Sequence, residues 1–175
     1  MKKFIDPFDY AGHILKAVKK GVLLTTKAGG KVNTMSISWG TLGIQWGLPI
    51  FTVFVRGCRH TSPMLEENAE FTINIPLEAA DKEIIRFCGT QSGRDVNKFQ
   101  ALGLETEEPE IITVPGIRQL PLTLECKVIY KQKQDLSVLP QEIIDRFYPQ
   151  VDETGFRDYH IAYYGEILGA SLLEK

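Results

Sequence analysis

Two arginines stand just before a helix start in Arg56-Gly57-Cys58-Arg59-His60-Thr61-Ser62-Pro63. Ser62 followed by Pro63 reads as an N-cap and first helical residue, because proline lacks the N–H that would be orphaned there. The free N–H groups and dipole of a helix start favour an anion, and guanidinium forks match phosphate oxygens. The same residues also suit a capped surface helix with two solvated arginines. Upstream, Asn33-Thr34-Met35-Ser36-Ile37-Ser38-Trp39-Gly40 alternates polar and apolar residues. It predicts a strand with one face lined by amides and hydroxyls from Asn33, Thr34, Ser36 and Ser38. Met35, Ile37 and Trp39 offer apolar surface. Either this is an ordinary half-buried strand, or it is one wall of a site beside a cationic loop. A planar, hydrogen-bonding ring with a phosphate tail would fit such a site.

A third polar stretch runs Gly89-Thr90-Gln91-Ser92-Gly93-Arg94-Asp95-Val96-Asn97-Lys98-Phe99. Small residues precede a helix start at Ser92 or Asp95, and Arg94 and Lys98, four apart, share a face of that helix. Such a loop can close over a ligand with backbone N–H groups and positive charge, or be a plain loop-to-helix junction. The histidines stand at 13, 60 and 160, and no pair has metal-ligand spacing. His60 adjoins the arginine loop, His160 opens the last strand, and His13 reads as a helix-surface residue. No serine sits in a G-x-S-x-G elbow, so a hydrolase triad is not indicated. Glu66-Glu67 and Glu107-Glu108 read as solvated faces. The three cysteines, at 58, 88 and 126, are widely separated. That count and spacing argue against a disulfide framework or a zinc site and favour the cytosol.

The elements that must carry these segments follow from periodicity. Ala11 to Lys20 is a short amphipathic helix ended by Gly21. Val22 to Ala28 and Val32 to Ser38 are strands joined by Gly29-Gly30, a two-residue hairpin signal. Leu48 to Val55 and Phe71 to Ile75 are further strands. Helices are expected from about Pro63 to Asn68, over Ala79 to Cys88, over Asp95 to Leu102 and over Gln141 to Tyr148. Leu122 to Tyr130 and Tyr159 to Ala170 complete the strands. Strands outnumber helices without sustained βαβ alternation, which predicts a mainly β, single-domain protein: a β-barrel with helical insertions. No G-x-G-x-x-G follows a strand, so a Rossmann site is unsupported. The 175 residues suit one domain, with 43% hydrophobic and 24% charged residues and net charge −2. Without clustered positive charge, nucleic acid is not an expected partner. Gly, Pro or charge breaks every apolar run short of a membrane span, and Asp6-Pro7 interrupts the N-terminal Lys2-Lys3 pattern of a leader.

The three polar segments, in this order, resemble the flavin reductase-like family, particularly its flavoredoxin-like branch. The resemblance rests on Asn33-Thr34-Met35-Ser36 with Ser38-Trp39, on Arg59-His60-Thr61, and on Ser92-Gly93-Arg94-Asp95 with Lys98-Phe99. Leu124 to Val128 and Tyr164 to Ile167 look like the family's later strands. The resemblance implies an FMN-binding split barrel, usually a homodimer with FMN near the subunit interface. It implies isoalloxazine and ribityl contacts from Asn33, Thr34, Met35, Ser36, Ser38 and Trp39. It implies phosphate-side contacts from Arg56, Arg59, His60, Thr61, Ser92, Arg94 and Lys98, and a site-closing role for His160. It also implies hydride transfer from NAD(P)H to flavin N5, with the cofactor carrying the chemistry and no catalytic side chain required. Three functions use the same barrel: an NAD(P)H-dependent flavin reductase, an electron carrier with bound FMN serving a redox partner protein, and a non-redox binding module.

Overall fold

A computed structural model describes residues 1–77 and 82–174. The Val22 to Ala28 segment forms β2 and Lys31–Ile37 forms β3, joined by Gly29 and Gly30 at φ of 53° and 73°. Both positive φ values are those a two-residue turn of the primed type demands, and glycine adopts them without a Cβ penalty. β1 is Lys2–Phe4, β4 Gly40–Gln45, β5 Leu48–Arg56, β6 Glu70–Ile75, β9 Leu122–Lys133 and β10 His160–Leu173. These build one antiparallel sheet in the order β3-β2-β6-β9-β10-β5-β4, with β1 added to β10. Two short strands, β7 (Thr106–Glu107) and β8 (Gly116–Ile117), pair separately. The mainly β expectation therefore holds, with helices inserted between strands.

The sheet curls around a core that includes Leu24, Phe51, Val53, Phe71, Ile73, Leu124 and Tyr163. Burying each large apolar side chain contributes about 1.5–3 kcal/mol. Helix α1 (Ala11–Lys20) lays Ile14, Ala17 and Val18 against that core, and Gly21 closes it. A smaller cluster of Leu23, Cys88, Leu104, Ile117 and Leu120 lies on the other face of β2. It is covered by α3 (Lys82–Thr90) and α4 (Lys98–Leu102). The β9–β10 pairing is bulged twice, at Ile129 of β9 opposite Tyr164 and Gly165 and at Leu168 of β10 opposite Cys126 and Glu125, which bends these long strands.

Several expectations are corrected. β4, with its Trp46-Gly47 turn, has no counterpart in the sequence reading. Its six residues include Gly40 and Gly43, which dilute the β-branched signal. The helix expected from Pro63 is α2, Thr61–Glu67, and its N-cap is His60, with no side-chain cap bond. Ser62 is not a cap, because its hydroxyl meets the Tyr163 hydroxyl at 3.2 Å inside the protein. Pro63 still falls in the first turn, where its missing N–H costs nothing. The helix expected from Asp95 is α4, which starts at Lys98 with Asn97 as N-cap, the Asn97 side chain accepting from Gln100 N at 3.2 Å. Arg94 thus stands outside the helix and shares no helical face with Lys98. The expected start at Ala79 lies outside the described residues. His13 is no free surface residue, since its Nε2 lies 2.7 Å from Pro76 O. Glu66 and Glu107 are ion-paired with Lys131 and Arg118 rather than simply solvated.

Candidate functional site

β3 is an edge strand, and its register decides which groups face outward. A two-residue hairpin makes Ala28 and Lys31 a hydrogen-bonded pair, so Thr26–Asn33 and Leu24–Met35 are bonded pairs as well. The main-chain groups of Thr34 and Ser36 then point away from β2. Thr34 O accepts from Lys98 Nζ at 2.8 Å, as that geometry requires. The side chains alternate the other way. Asn33 Nδ2 donates toward Thr61 Oγ1 at 3.5 Å, whereas the fully buried Thr34 hydroxyl donates to Leu24 O at 3.2 Å. The strand therefore does not present Asn33, Thr34, Ser36 and Ser38 on one face. Period-two alternation separates Asn33 from Thr34, and the strand ends at Ile37, before Ser38 and Trp39.

The arginine loop turns tightly, with Arg59 N bonded to Arg56 O and Ser62 N to Arg59 O, each at 3.0 Å. Thr61 is buried and Arg59 is exposed. Among the described residues the Arg59 guanidinium has no hydrogen bond or ion pair. The third segment folds over this loop. Asp95 N and Val96 N both donate to Ser92 O at 3.1 Å, and Arg94 Nη1 donates to Cys58 O at 2.9 Å. Gly93 is needed there, because a Cβ would come within 2.1 Å of Asn33 Oδ1. Lys98 is only 4% exposed, and its ammonium bridges Thr34 O and Cys88 O at 2.8 and 2.9 Å.

These segments enclose a pocket of about 230 Å³ whose walls include Met35, Ser36, Arg59, Thr61, Ser92 and Arg94. A cleft of about 900 Å³ opens beside it, sharing Asn33, His60, Gly93, Arg94 and Lys98. The smaller volume suits the polar end of a ligand rather than a whole one. The pocket is electrostatically positive. Burial holds the His60 imidazole below its usual pKa, and Arg94, Lys98 and Lys31 push it further in the same direction. Burial also lowers Lys98, with Arg59 adding to it. Burial pushes the Cys88 thiol up to about 11. This concentration of positive charge sits in a chain of net charge −2.

Beyond the end of β3 the surroundings become aromatic. Trp39 stacks at a tilt on His160 with ring centroids 4.7 Å apart, and meets Phe147 edge-on at 5.1 Å. Phe147 ends α5, Gln141–Phe147. The Tyr148 hydroxyl donates to Gln134 Oε1 at 2.7 Å and lies 2.7 Å from His160 Nδ1. A hydroxyl has one proton, so Nδ1–H is the donor to Tyr148 and Nε2 carries the lone pair. Burial, then the Arg56 charge, hold His160 down to a pKa of about 4. Arg56 donates to Phe147 O and lies 5.2 Å above the Tyr148 ring. Ser38 and Trp39 line a separate cleft of about 380 Å³ with Leu15, Val18 and Gln134.

Comparison with known proteins places this architecture. Residues 16–172 match the model of the flavin reductase like domain. The chain belongs to this family. The flavin reductase-like chain is 28% identical over 99 residues to an uncharacterised protein of Archaeoglobus fulgidus, covering 57% of this chain but only 55% of that protein. Among solved structures, flavoredoxin from Methanosarcina acetivorans is 25% identical with a TM-score of 0.64, covering 88% of this chain and 68% of that one. An FMN-binding domain of a flavin reductases-like enzyme from Shewanella baltica has a TM-score of 0.67 at 18% identity, covering 98% and 77%. The fold is thus the split barrel of flavin reductase-like proteins.

The smaller pocket brings together nine of the residues singled out in the sequence: Asn33, Met35, Ser36, Arg59, His60, Thr61, Ser92, Arg94 and Lys98. Thr34 contributes main chain rather than its hydroxyl. Ser38, Trp39, Arg56 and His160 lie apart from that pocket, at the aromatic end. Sequence reading missed Tyr148 and Gln134, which meet His160 only through folding across the Ser137–Asp158 region. No local pattern marks them.

Proposed function

We propose that this chain is an FMN-binding oxidoreductase that takes hydride from NADH or NADPH. The observation that carries the reading is the convergence of three separate segments on one small positive pocket along the free edge of β3. The residues fit a phosphorylated flavin: Arg59 has no side-chain partner among the described residues, Gly93 lets the third segment close against Asn33, and the outward main-chain groups of β3 are available as donors and acceptors. Arg59, Arg94 and Ser92 would hold the terminal phosphate, with Thr61 and Asn33 shaping its wall. Ser36 and the β3 main chain would meet the ribityl and pyrimidine portions. FMN is preferred to FAD, because the cationic residues suit a phosphate monoester dianion.

When bound, FMN supplies a ring whose N5 accepts hydride. The chain binds and orients it. Lys98 holds the third segment against β3, and Trp39 offers an apolar wall beside neutral His160, whose Nε2 can accept a hydrogen bond. A homodimer would cover the aromatic surface formed by Trp39 and the start of β10, and three free thiols accord with a cytosolic setting. Anaerobic stopped-flow mixing of FMN-loaded protein with NADH and with NADPH tests the activity. Rapid bleaching of the flavin by either donor is the expected result. Flavin that stays oxidised with both, yet is reduced by a redox protein, would establish the electron carrier instead. Purified protein that is colourless and does not take up added FMN would exclude both.

A further inference from the structure

Another cleft, of about 750 Å³, lies between α1 and α3. It is separate from the flavin pocket. Lys82, Ile85 and Arg86 of α3 line this cleft, whereas Cys88, Gly89 and Thr90 of the same helix line the other pocket. Its volume falls in the range of small-molecule sites. Its floor is apolar, made by Ala17, Pro76, Leu77 and Ile85. The His13 bond to Pro76 O at 2.7 Å ties α1 to the end of β6 and holds that wall in place.

Among the described residues the rim is cationic. Lys16 and Lys20 are four residues apart on α1 and face Lys82 across the cleft. Like charges at this spacing on a helix repel. Among the described residues none of these three lysines is in an ion pair. Arg86 differs, because its guanidinium is occupied by both carboxylate oxygens of Glu83, at 2.6 and 3.2 Å. The chain as a whole is acidic, at net charge −2, so this local excess is not a general surplus. An anion at the rim would offset the repulsion, while the floor accepts only apolar groups.

We propose that this cleft binds an anionic amphiphile, its acyl or alkyl chain over Ala17, Pro76, Leu77 and Ile85 and its carboxylate or phosphate head among Lys16, Lys20 and Lys82. The assignment does not depend on the flavin reading. Isothermal titration calorimetry on the purified protein tests it, with dodecanoate, dodecyl phosphate and dodecyltrimethylammonium each kept below micelle formation. At least one anion should bind saturably at one site per chain, and the tighter of the two identifies the head group. The triple variant Lys16→Gln, Lys20→Gln, Lys82→Gln, which changes only exposed side chains, should bind it roughly tenfold more weakly or worse. Binding by neither anion, equal affinity in the triple variant, or equal binding of the cationic amphiphile would overturn the proposal.

Discussion

Arg56 and Arg59 are three residues apart and chemically identical, yet the fold treats them in opposite ways. Arg56 lies at the end of β5, paired with His160 in β10. Its guanidinium is spent on the Phe147 carbonyl and the Tyr148 ring. Arg59, one turn on, is exposed and has no side-chain partner among the described residues. Lys98 makes the contrast sharper: it sits in the pocket wall, but two of its three protons go to main-chain carbonyls. Position near a cavity therefore does not make a cation a ligand. Arg56 and Lys98 are held by partners within the protein, Arg94 spends one of its donors on Cys58 O, and Arg59 alone of the four has no side-chain partner among the described residues.

The contrast is broken most forcefully at Lys98. Replacing it with Met should leave two buried carbonyls unsatisfied and destabilise the protein by about 2–3 kcal/mol, read as a lower urea midpoint. An unchanged midpoint would move Lys98 from the structural group to the ligand group. Gly93→Ala comes next. Its Cβ would press on Asn33 Oδ1 and lie 3.0 Å from His60 Cδ2, so overpacking should cost about 1–3 kcal/mol and weaken FMN binding with it. Full stability in that variant would mean the third segment does not close against Asn33 as described. Tyr148→Phe removes one hydroxyl from Gln134 and His160, which should cost about 0.5–1.5 kcal/mol. It should leave the FMN dissociation constant unchanged, because the pocket containing Arg59 lies elsewhere.

The pH dependence sharpens the aromatic end alone. His160 in the folded protein titrates at about 4, below its usual 6.5, so the unfolded chain binds the extra proton first as pH falls. Stability should be full above 6.5, fall as pH drops through the window down to about 4, and level off below it as far as this residue is concerned. Thermal melts across that range would show the slope, and His160→Gln should flatten it. A slope that survives the substitution belongs to another group, His60 being the first candidate because burial and three cations lower it too.

Much of this was legible in the sequence where local rules decide. Gly29-Gly30 marks the β2–β3 hairpin, and Gly21 marks a helix end that the structure confirms. Three polar segments far apart in the chain were read as one site, and nine of their residues do share a pocket. What was not legible depended on tertiary partners. Ser62 looks like a cap, but Tyr163, about a hundred residues away, takes its hydroxyl. Arg56 looks like a second phosphate ligand, but the region after β9 occupies it. Lys98 reads as a phosphate-side cation on a helix face shared with Arg94, but β3 and α3 supply carbonyls for its ammonium. Each of these side chains has a partner distant in sequence.

We propose that Arg59, which has no side-chain partner among the described residues, helps bind a flavin through its terminal phosphate. Titrating apo-protein with FMN and with riboflavin, in the wild type and in Arg59→Ala, tests it directly. The wild type should prefer FMN, Arg59→Ala should weaken FMN binding by about 1.5–3 kcal/mol, and riboflavin should bind both proteins alike. Equal affinity of the wild type for FMN and riboflavin, or an FMN affinity unaffected by the substitution at moderate salt, would contradict it.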